Sequence, residues 1–316
     1  MTNPEENSQA PKPTEIAPLS IKNLTKTYGE FKAVNNVSFE LKQGEIFALL
    51  GPNGAGKTTR ISTIVTIEPP SSGQVEVFGN DVTRFPKQAK FKTGLVPQEL
   101  INHGFFTVDE IMSIHSGYYG LLKNKERTNY LLQKLALWDH RNKKVKQLSG
   151  GMKRRLHIAK ALVHSPKLLL LDEPTAGVDI ELRTSLWEFV KELRDEGVTV
   201  LLTTHYLEEA ENLCDRVGVL NHGNLVEIGK TSSLIKKLTN RQITFIFKQP
   251  QEKSYKDHQW FVSQDQNSLA AKIPANLGMG DVISGMNIPV DNIADVKIRE
   301  GNLEEALEFF HRALHH

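Results

Sequence analysis

Residues 19–28 and 33–41 alternate apolar and polar side chains, the period of two that marks strands with one covered face, and they predict an antiparallel pair. A continuous apolar run follows at 45–50. Shorter strand-like runs come at 74–78, ended by Gly79, Asn80 and Asp81, and at 93–97, closed by Gln98. From 107 to 164 the pattern becomes polar and helical: Thr107 and Glu110 have capping-box spacing, and 124–137 continues the helical period. Strand and helix then alternate at 168–171, 180–195, 198–203, 206–214 and 217–220. That order predicts βα winding around a mainly parallel sheet, interrupted by a helical insert at about 100–165. The end of the chain changes character. Residues 243–247 and 269–273 read as strands, and Asn302 can cap a helix with Leu303, Ala306, Leu307, Phe310 and Leu314 on one face. A main domain at 19–235 and a small α/β accessory domain at 240–316 are expected.

Composition narrows the picture. A chain of 316 residues holds one domain of about 220 residues and a smaller one. With 39 Lys and Arg against 37 Asp and Glu, the net charge of +2 gives no electrostatic case for a nucleic-acid partner. Cys214 is the single cysteine, so no intrachain disulfide forms and a reducing compartment is expected. The longest apolar runs, 168–171 and 198–202, fall far short of the roughly 20 residues of a membrane helix. Residues 1–18 carry Pro4, Pro11, Pro13 and Pro18 without an apolar core, which predicts a disordered tail and not a secretory signal.

The chemistry begins where the 45–50 run ends. Gly51, Pro52, Asn53, Gly54, Ala55, Gly56, Lys57, Thr58 and Thr59 fit the phosphate-loop pattern G-x-x-x-x-G-K-[ST], with a strand before it and a helix-compatible stretch, 58–67, after it. The glycines let backbone N–H groups converge on phosphate oxygens, and the helix start adds partial positive charge. Lys57 can reach the outer phosphates, and the Thr58 hydroxyl can join a Mg²⁺ shell. The pattern implies a site for a nucleoside triphosphate.

A second constellation follows the 168–171 run, which delivers Asp172 and Glu173 at a strand's C-terminal end, where open α/β sheets place their sites. Asp172 suits the Mg²⁺ shell, and Glu173 suits polarising the water that attacks the γ-phosphate. Taken alone, they read more readily as solvated acids after a buried strand; beside an intact phosphate loop the catalytic reading prevails. His205, at the end of the next strand, is placed to contact the γ-phosphate and hold that water. Gln98 is suited to reach Mg²⁺, against a reading as a solvent-facing amide. Tyr28 is placed to stack on adenine, against a reading as a core tyrosine. The basic run Lys143, Lys144, Lys146, Lys153, Arg154 and Arg155 reads at least as well as a solvated face as a ligand site.

Leu148, Ser149, Gly150 and Gly151, followed by an amphipathic stretch to Val163, resemble the signature motif of ATP-binding cassette proteins. Ser149 and the glycine N–H groups at a helix start make another anion site. The whole order over residues 20–235 resembles that family, so a P-loop NTPase fold is expected: α/β with a mainly parallel core sheet, an antiparallel β subdomain, the helical insert and the accessory domain. The resemblance implies roles. Tyr28 stacks on adenine, 51–59 binds phosphates, Gln98 is the glutamine-loop residue, and Ser149 and Gly151 complete a partner's ATP pocket. Asp172 and Glu173 are the metal-site aspartate and catalytic glutamate, Asp179 crosses the dimer interface, and His205 is the switch histidine. Met152 departs from the glutamine of many members and cannot make that residue's ribose bond.

The stretches 172–183 and 204–211 look like the ABC-2-type exporter ATPases, which include drug, polysaccharide and nodulation-factor export subunits. The resemblance implies ATP and Mg²⁺ as ligands, a head-to-tail homodimer and a membrane-spanning permease subunit at the cytoplasmic face of the membrane, with no nucleic acid. The alternative is a soluble cassette protein acting on ribosomes or DNA, against which stand the single cassette and the lack of a heptad run. The Phe105–Phe106 pair before the Thr107 cap is expected to contribute to permease docking, with a core role as the alternative.

Overall fold

Uninterrupted apolar runs become central strands. β3 (Ile46–Leu50) and β7 (Leu168–Asp172) are buried at every position, as expected of parallel strands covered on both faces. The computed structural model describes residues 16–52, 54–99, 104–176, 180–274 and 277–307. Asn53, Asp179, the predicted tail through residue 15, Phe310 and Leu314 lie outside the described residues.

The chain packs as two compact units. The first holds the described residues up to His205 together with Gly218–Glu227, and the second holds Tyr206–Val217 and the described residues from Ile228 onward. Within the first unit, β1 (Leu19–Tyr28) pairs antiparallel with β2 (Phe31–Glu40) and with β4 (Ser72–Val77). The tiny β5 (Asn80–Asp81) completes a sheet ordered β2-β1-β4-β5. The second sheet runs β10-β9-β3-β8-β7-β6, adding β6 (Thr93–Val96), β8 (Thr199–Thr204), β9 (Arg216–Asn221) and β10 (Asn224–Lys230). Its β3·β8, β8·β7 and β7·β6 pairs are all parallel. Phe39 of β2 stacks on Phe47 of β3 with ring centroids 5.4 Å apart, joining the two sheets through apolar surface.

The helices of this unit are α1 (Lys57–Ile64), α2 (Pro86–Lys92), α3 (Val108–Tyr118), α4 (Lys125–Lys134), α5 (Gly150–Leu162) and α6 (Ile180–Asp195). The capping box at the head of α3 forms as expected. The Thr107 hydroxyl accepts the Glu110 N–H at 3.2 Å, and the Glu110 carboxylate accepts the Thr107 N–H at 2.7 Å. α5 lies close over β6. A Cβ on Gly94 would sit 2.4 Å from the Ala161 carbonyl oxygen, so only glycine lets strand and helix approach this far.

Two helices end earlier than the periodicity suggests. α1 stops at Ile64 because Thr66 turns to φ 61°, and α4 stops at Lys134 because Ala136 turns to φ 50°.

The second unit contains α7 (Leu207–Leu213), α8 (Thr231–Leu238) and a sheet ordered β12-β13-β11-β14. That sheet is formed by β11 (Asn240–Phe247), β12 (Phe261–Gln264), β13 (Ser268–Pro274) and β14 (Ile293–Arg299), with α9 (Met279–Met286) between the last two in sequence. Ile243, Phe245 and Phe247 alternate along β11 into a core with Leu269, Ile273, Val282 and Met286. The Asn302 side chain accepts the Glu305 N–H at 2.9 Å and caps a turn of helix at 303–307 that buries Leu303 and Ala306.

Candidate functional site

The parallel register brings three strand ends level. Leu50 of β3 faces Thr204 of β8, and Asp172 of β7 faces Thr203. The sheet order therefore sets the phosphate loop, which follows β3, beside His205, which follows β8. Glu173 follows β7 next along the same edge, and Gln98 follows β6. Four segments distant in sequence meet at one edge.

Glu173 is the centre of that meeting. Its carboxylate lies 3.7 Å from the Lys57 ammonium and 3.3 Å from His205 Nδ1, and it accepts the Gln98 side-chain amide at 3.2 Å. The residue is buried and adopts φ 47°, a left-handed conformation that costs energy outside glycine and is found where a site requires it. The Glu173 N–H donating to the Thr203 carbonyl at 3.0 Å holds it there. Asp172 is buried beside it, and its carboxylate accepts the Thr203 hydroxyl.

Lys57 is buried at the start of α1 and donates to the Gly51 and Pro52 carbonyls at 2.7 and 3.2 Å. Burial pulls its ammonium below the ordinary lysine value, while the Glu173 and Asp172 carboxylates act the other way. The head of α1 itself has no side-chain cap and no acid in its first turn, so its N–H groups remain available to an anion.

A cavity of 410 Å³ is lined by this loop, through Gly54, Gly56, Lys57 and Thr58, by Gln98 and Glu173, and by Tyr28 and Phe31. Tyr28 and Phe31 are paired across the β1–β2 turn and both are exposed, which removes the core reading of Tyr28. The Tyr28 hydroxyl donates to the Glu68 carboxylate, and that bond raises its pKa.

Ser149 and Gly151 do not reach this cavity. They line a separate one of 850 Å³ together with residues of α6, among them Glu181, Glu188 and Glu192. Ser149 caps α5 by accepting the Met152 N–H at 3.2 Å.

The chain matches the ABC transporter family over residues 34–176. It is 42% identical over 222 residues to the linearmycin resistance ATP-binding protein LnrL of Bacillus subtilis, covering 70% of this chain and 71% of that protein. It is 41% identical over 222 residues to the Nod factor export ATP-binding protein I of Burkholderia orbicola, covering 70% and 73%. The chain belongs to the ABC transporter ATP-binding proteins.

Solved structures agree. An ATP-binding subunit of an ABC transporter superposes with a TM-score of 0.65 at 28% identity, covering 69% of this chain and 92% of that one. An ATP-binding cassette in its ADP conformation gives 0.63 at 28% identity, covering 71% and 95%. The expected fold class therefore stands, within the ABC-2-type exporter group, and the protein is an ATP-binding, ATP-hydrolysing cassette.

Within the cassette, one sequence expectation needs correction. Arg154 is not on a solvated face: it is 4% exposed, and its guanidinium donates to five carbonyls. These are Pro97 at 2.7 Å, Gln98 at 3.2 Å, Asp172 at 3.1 Å, Glu173 at 2.7 Å and Pro174 at 2.8 Å. The helix behind the signature stretch thus grips the backbone of both the glutamine segment and the acidic segment. Ile158 and Ala161 follow Arg154 at i+4 and i+7 and share its buried face; a cation at the head of an apolar face was the available signal. Phe31 falls between the two predicted strands 19–28 and 33–41, and Thr203 ends the predicted strand 198–203, so neither carries a sequence signal of its role.

Proposed function

We propose that this cassette powers a separately encoded membrane exporter, working as a head-to-tail homodimer that closes on two ATP molecules and reopens after hydrolysis. The observation that carries the reading is the convergence of Lys57, Gln98 and His205 on Glu173 beside the phosphate loop. The Glu173 carboxylate accepts a hydrogen bond from the attacking water and draws off its proton as the water oxygen bonds to the γ-phosphorus. The bond to the ADP oxygen breaks, and ADP and phosphate are the products. His205 steadies the carboxylate, and Lys57 holds the outer phosphates. The N–H groups of 51–59 cradle the phosphates, and Tyr28 with Phe31 supplies aromatic surface for the base.

Mg²⁺ fits this arrangement as an ion that arrives with the phosphates. Such an ion is usually held through one or two carboxylates together with substrate phosphates, and Asp172 is the buried carboxylate beside the phosphate loop. Thr58, Asp172 and Gln98 are the residues that would hold it, and it would neutralise charge on the β- and γ-phosphate oxygens.

Ser149 and Gly151 of one subunit complete the pocket of the other, with Asp179 at the subunit boundary. The permease docks on the helical segment. Phe105 and Phe106, 82% and 42% exposed, offer it apolar surface, and their exposure disposes of a core role. Attachment to the cytoplasmic face runs through that partner; among the described residues no helix is long and apolar enough to cross a membrane. The export direction is taken from relatives named for Nod factor export and linearmycin resistance.

The test is Glu173→Gln in the full chain. ATP binding survives, hydrolysis falls by about two to three orders of magnitude, and size-exclusion chromatography with ATP and Mg²⁺ shows a dimer that persists. Normal hydrolysis would overturn the role of Glu173, and a monomer with bound ATP would count against the paired half-sites.

A further inference from the structure

Arg60 is the largest fully buried side chain among the described residues, at 0% exposure, and it lies directly behind the phosphate loop on α1. Its guanidinium donates to the Ala55 carbonyl at 2.9 Å and to the Gly223 carbonyl at 2.8 Å, while its Nε–H has no partner among the described residues. No carboxylate pairs with it among the described residues. Burial pulls it down to about 10, which leaves it protonated at neutral pH. A buried cation normally sits against an anion, because leaving water without one is costly. Nothing in the hydrolytic scheme above uses this one.

The two carbonyls it grips are informative. In a trans peptide the C=O and the following N–H point in opposite directions. Holding the Ala55 oxygen back toward the guanidinium therefore turns the Gly56 N–H the other way, into the loop's hollow. The positive charge on the oxygen side also strengthens that N–H as a donor. Gly56 is confined from a second direction. It adopts φ 84°, and a Cβ there would lie 2.1 Å from the Ala33 carbonyl oxygen and 3.0 Å from Arg60 Nη1. The Gly223 carbonyl, in the turn between β9 and β10, also accepts the Asn35 N–H of β2 at 2.9 Å. One side chain thus ties the phosphate loop to that turn and to β2, which contributes Phe31 and Ala33 to the nucleotide cavity.

We propose that Arg60 is a positioning residue for the triphosphate: it aims the Gly56 N–H at the phosphates and lends the loop a buried positive charge that the nucleotide's phosphates balance. It acts through the loop and does not touch substrate. The proposal goes beyond the hydrolytic reading, since it assigns affinity for the phosphate chain to a residue behind the loop.

The test compares Arg60→Gln, which removes the charge, with Arg60→Lys, which keeps the charge and loses the two-pronged grip. Both are made in the full chain, with folding followed by circular dichroism and thermal unfolding. Arg60→Gln is expected to raise the KM for ATP, and the inhibition constant of inorganic tripolyphosphate, by about tenfold, while kcat stays within about threefold. Arg60→Lys recovers part of both losses. A folded Arg60→Gln with wild-type KM and wild-type tripolyphosphate inhibition overturns the proposal. So does an equal fall in kcat and kcat/KM at unchanged KM, without rescue by lysine, which would mark a packing brace. Should Arg60→Gln not fold, Arg60→Lys decides: a KM raised by about threefold supports the role, and an unchanged KM overturns it. Failure of the ATPase reading itself would look different, since the wild-type chain would then bind neither ATP nor tripolyphosphate.

Discussion

Two helices of the first unit begin with glycine-rich, acid-free turns suited to an anion, yet their surroundings are opposite. The head of α1 has no side-chain cap, and it is surrounded by Lys57, Glu173 and Gln98, with Arg60 behind it. The head of α5 is capped by its own Ser149, exposed at Gly150, and faces a cavity whose α6 wall carries three glutamates. One helix start has the means to bind phosphate and direct a water at it. The other offers its hydrogen-bond donors to a cavity of mixed charge, where Lys134 and Arg155 stand with the glutamates. The difference teaches that a helix dipole and free N–H groups supply attraction, while chemistry needs charges fixed around them by other strands. α5 makes up the difference through its interior. Arg154, one turn in from Ser149, holds the carbonyls of Asp172 and Glu173, so the bare helix start is mechanically joined to the furnished one.

The sharpest way to break this comparison is to strip the first helix start of its charge. Lys57→Ala leaves the loop's N–H groups in place but removes the fixed counter-charge of the outer phosphates. A loss of at least about a hundredfold in ATP affinity is expected, since hydrogen bonds to charged groups are the strong ones. Titration with labelled ATP measures it. Near wild-type affinity with normal hydrolysis would mean that the N–H groups alone suffice and the two helix starts are equivalent.

Next in size is the link between them. Arg154→Met leaves carbonyls of two segments without donors in a buried place, and a drop of at least about 3 kcal/mol in unfolding free energy is expected from urea titration. Arg154→Lys keeps the charge and one of the prongs. Its fold should persist while kcat falls by about tenfold or more and ATP affinity changes little, because Glu173 shifts and the loop does not. If Arg154→Lys hydrolyses ATP at the wild-type rate, the grip on Glu173 is structural only.

How far such features are legible in a sequence depends on whether they are local. The phosphate loop, the Thr107 capping box and the runs that became β3 and β7 are contiguous, and each is decided by the residues that carry it. α2 and β14 leave no such local mark. α2 buries only Ala89, and β14 is a mostly exposed edge strand whose Asp295, Lys297 and Arg299 dilute its apolar residues, so neither leaves a clear period. The site divides in the same manner. Lys57, Asp172, Glu173 and His205 are suggested by motifs at strand ends. The burial of Arg60 is written nowhere locally, and that of Arg154 only as a cation on an apolar helix face, because a cation becomes an interior residue only when distant backbone carbonyls converge on it. The left-handed turn at Glu173 is likewise imposed by β8, whose Thr203 holds the backbone from across the sheet.

The smallest effect, and the one that sharpens the comparison most, belongs to Ser149. Its hydroxyl accepts the Met152 N–H, so Ser149→Ala removes a helix cap and is expected to cost about 1 kcal/mol of stability. It lines no part of the Lys57 cavity, and ATP affinity of the isolated monomer should stay within about twofold of wild type, the scale of change when no direct contact is lost. The association of two chains is another matter. In a Glu173→Gln background, where ATP persists, losing one donor to a partner's phosphate should weaken ATP-dependent dimerisation by about tenfold, read by sedimentation at graded protein concentration. A monomer affinity that falls along with dimerisation would place Ser149 within its own chain's nucleotide site. Dimerisation as tight as with Ser149 intact would leave α5 as a structural helix whose glycine-rich start is only a sharp turn.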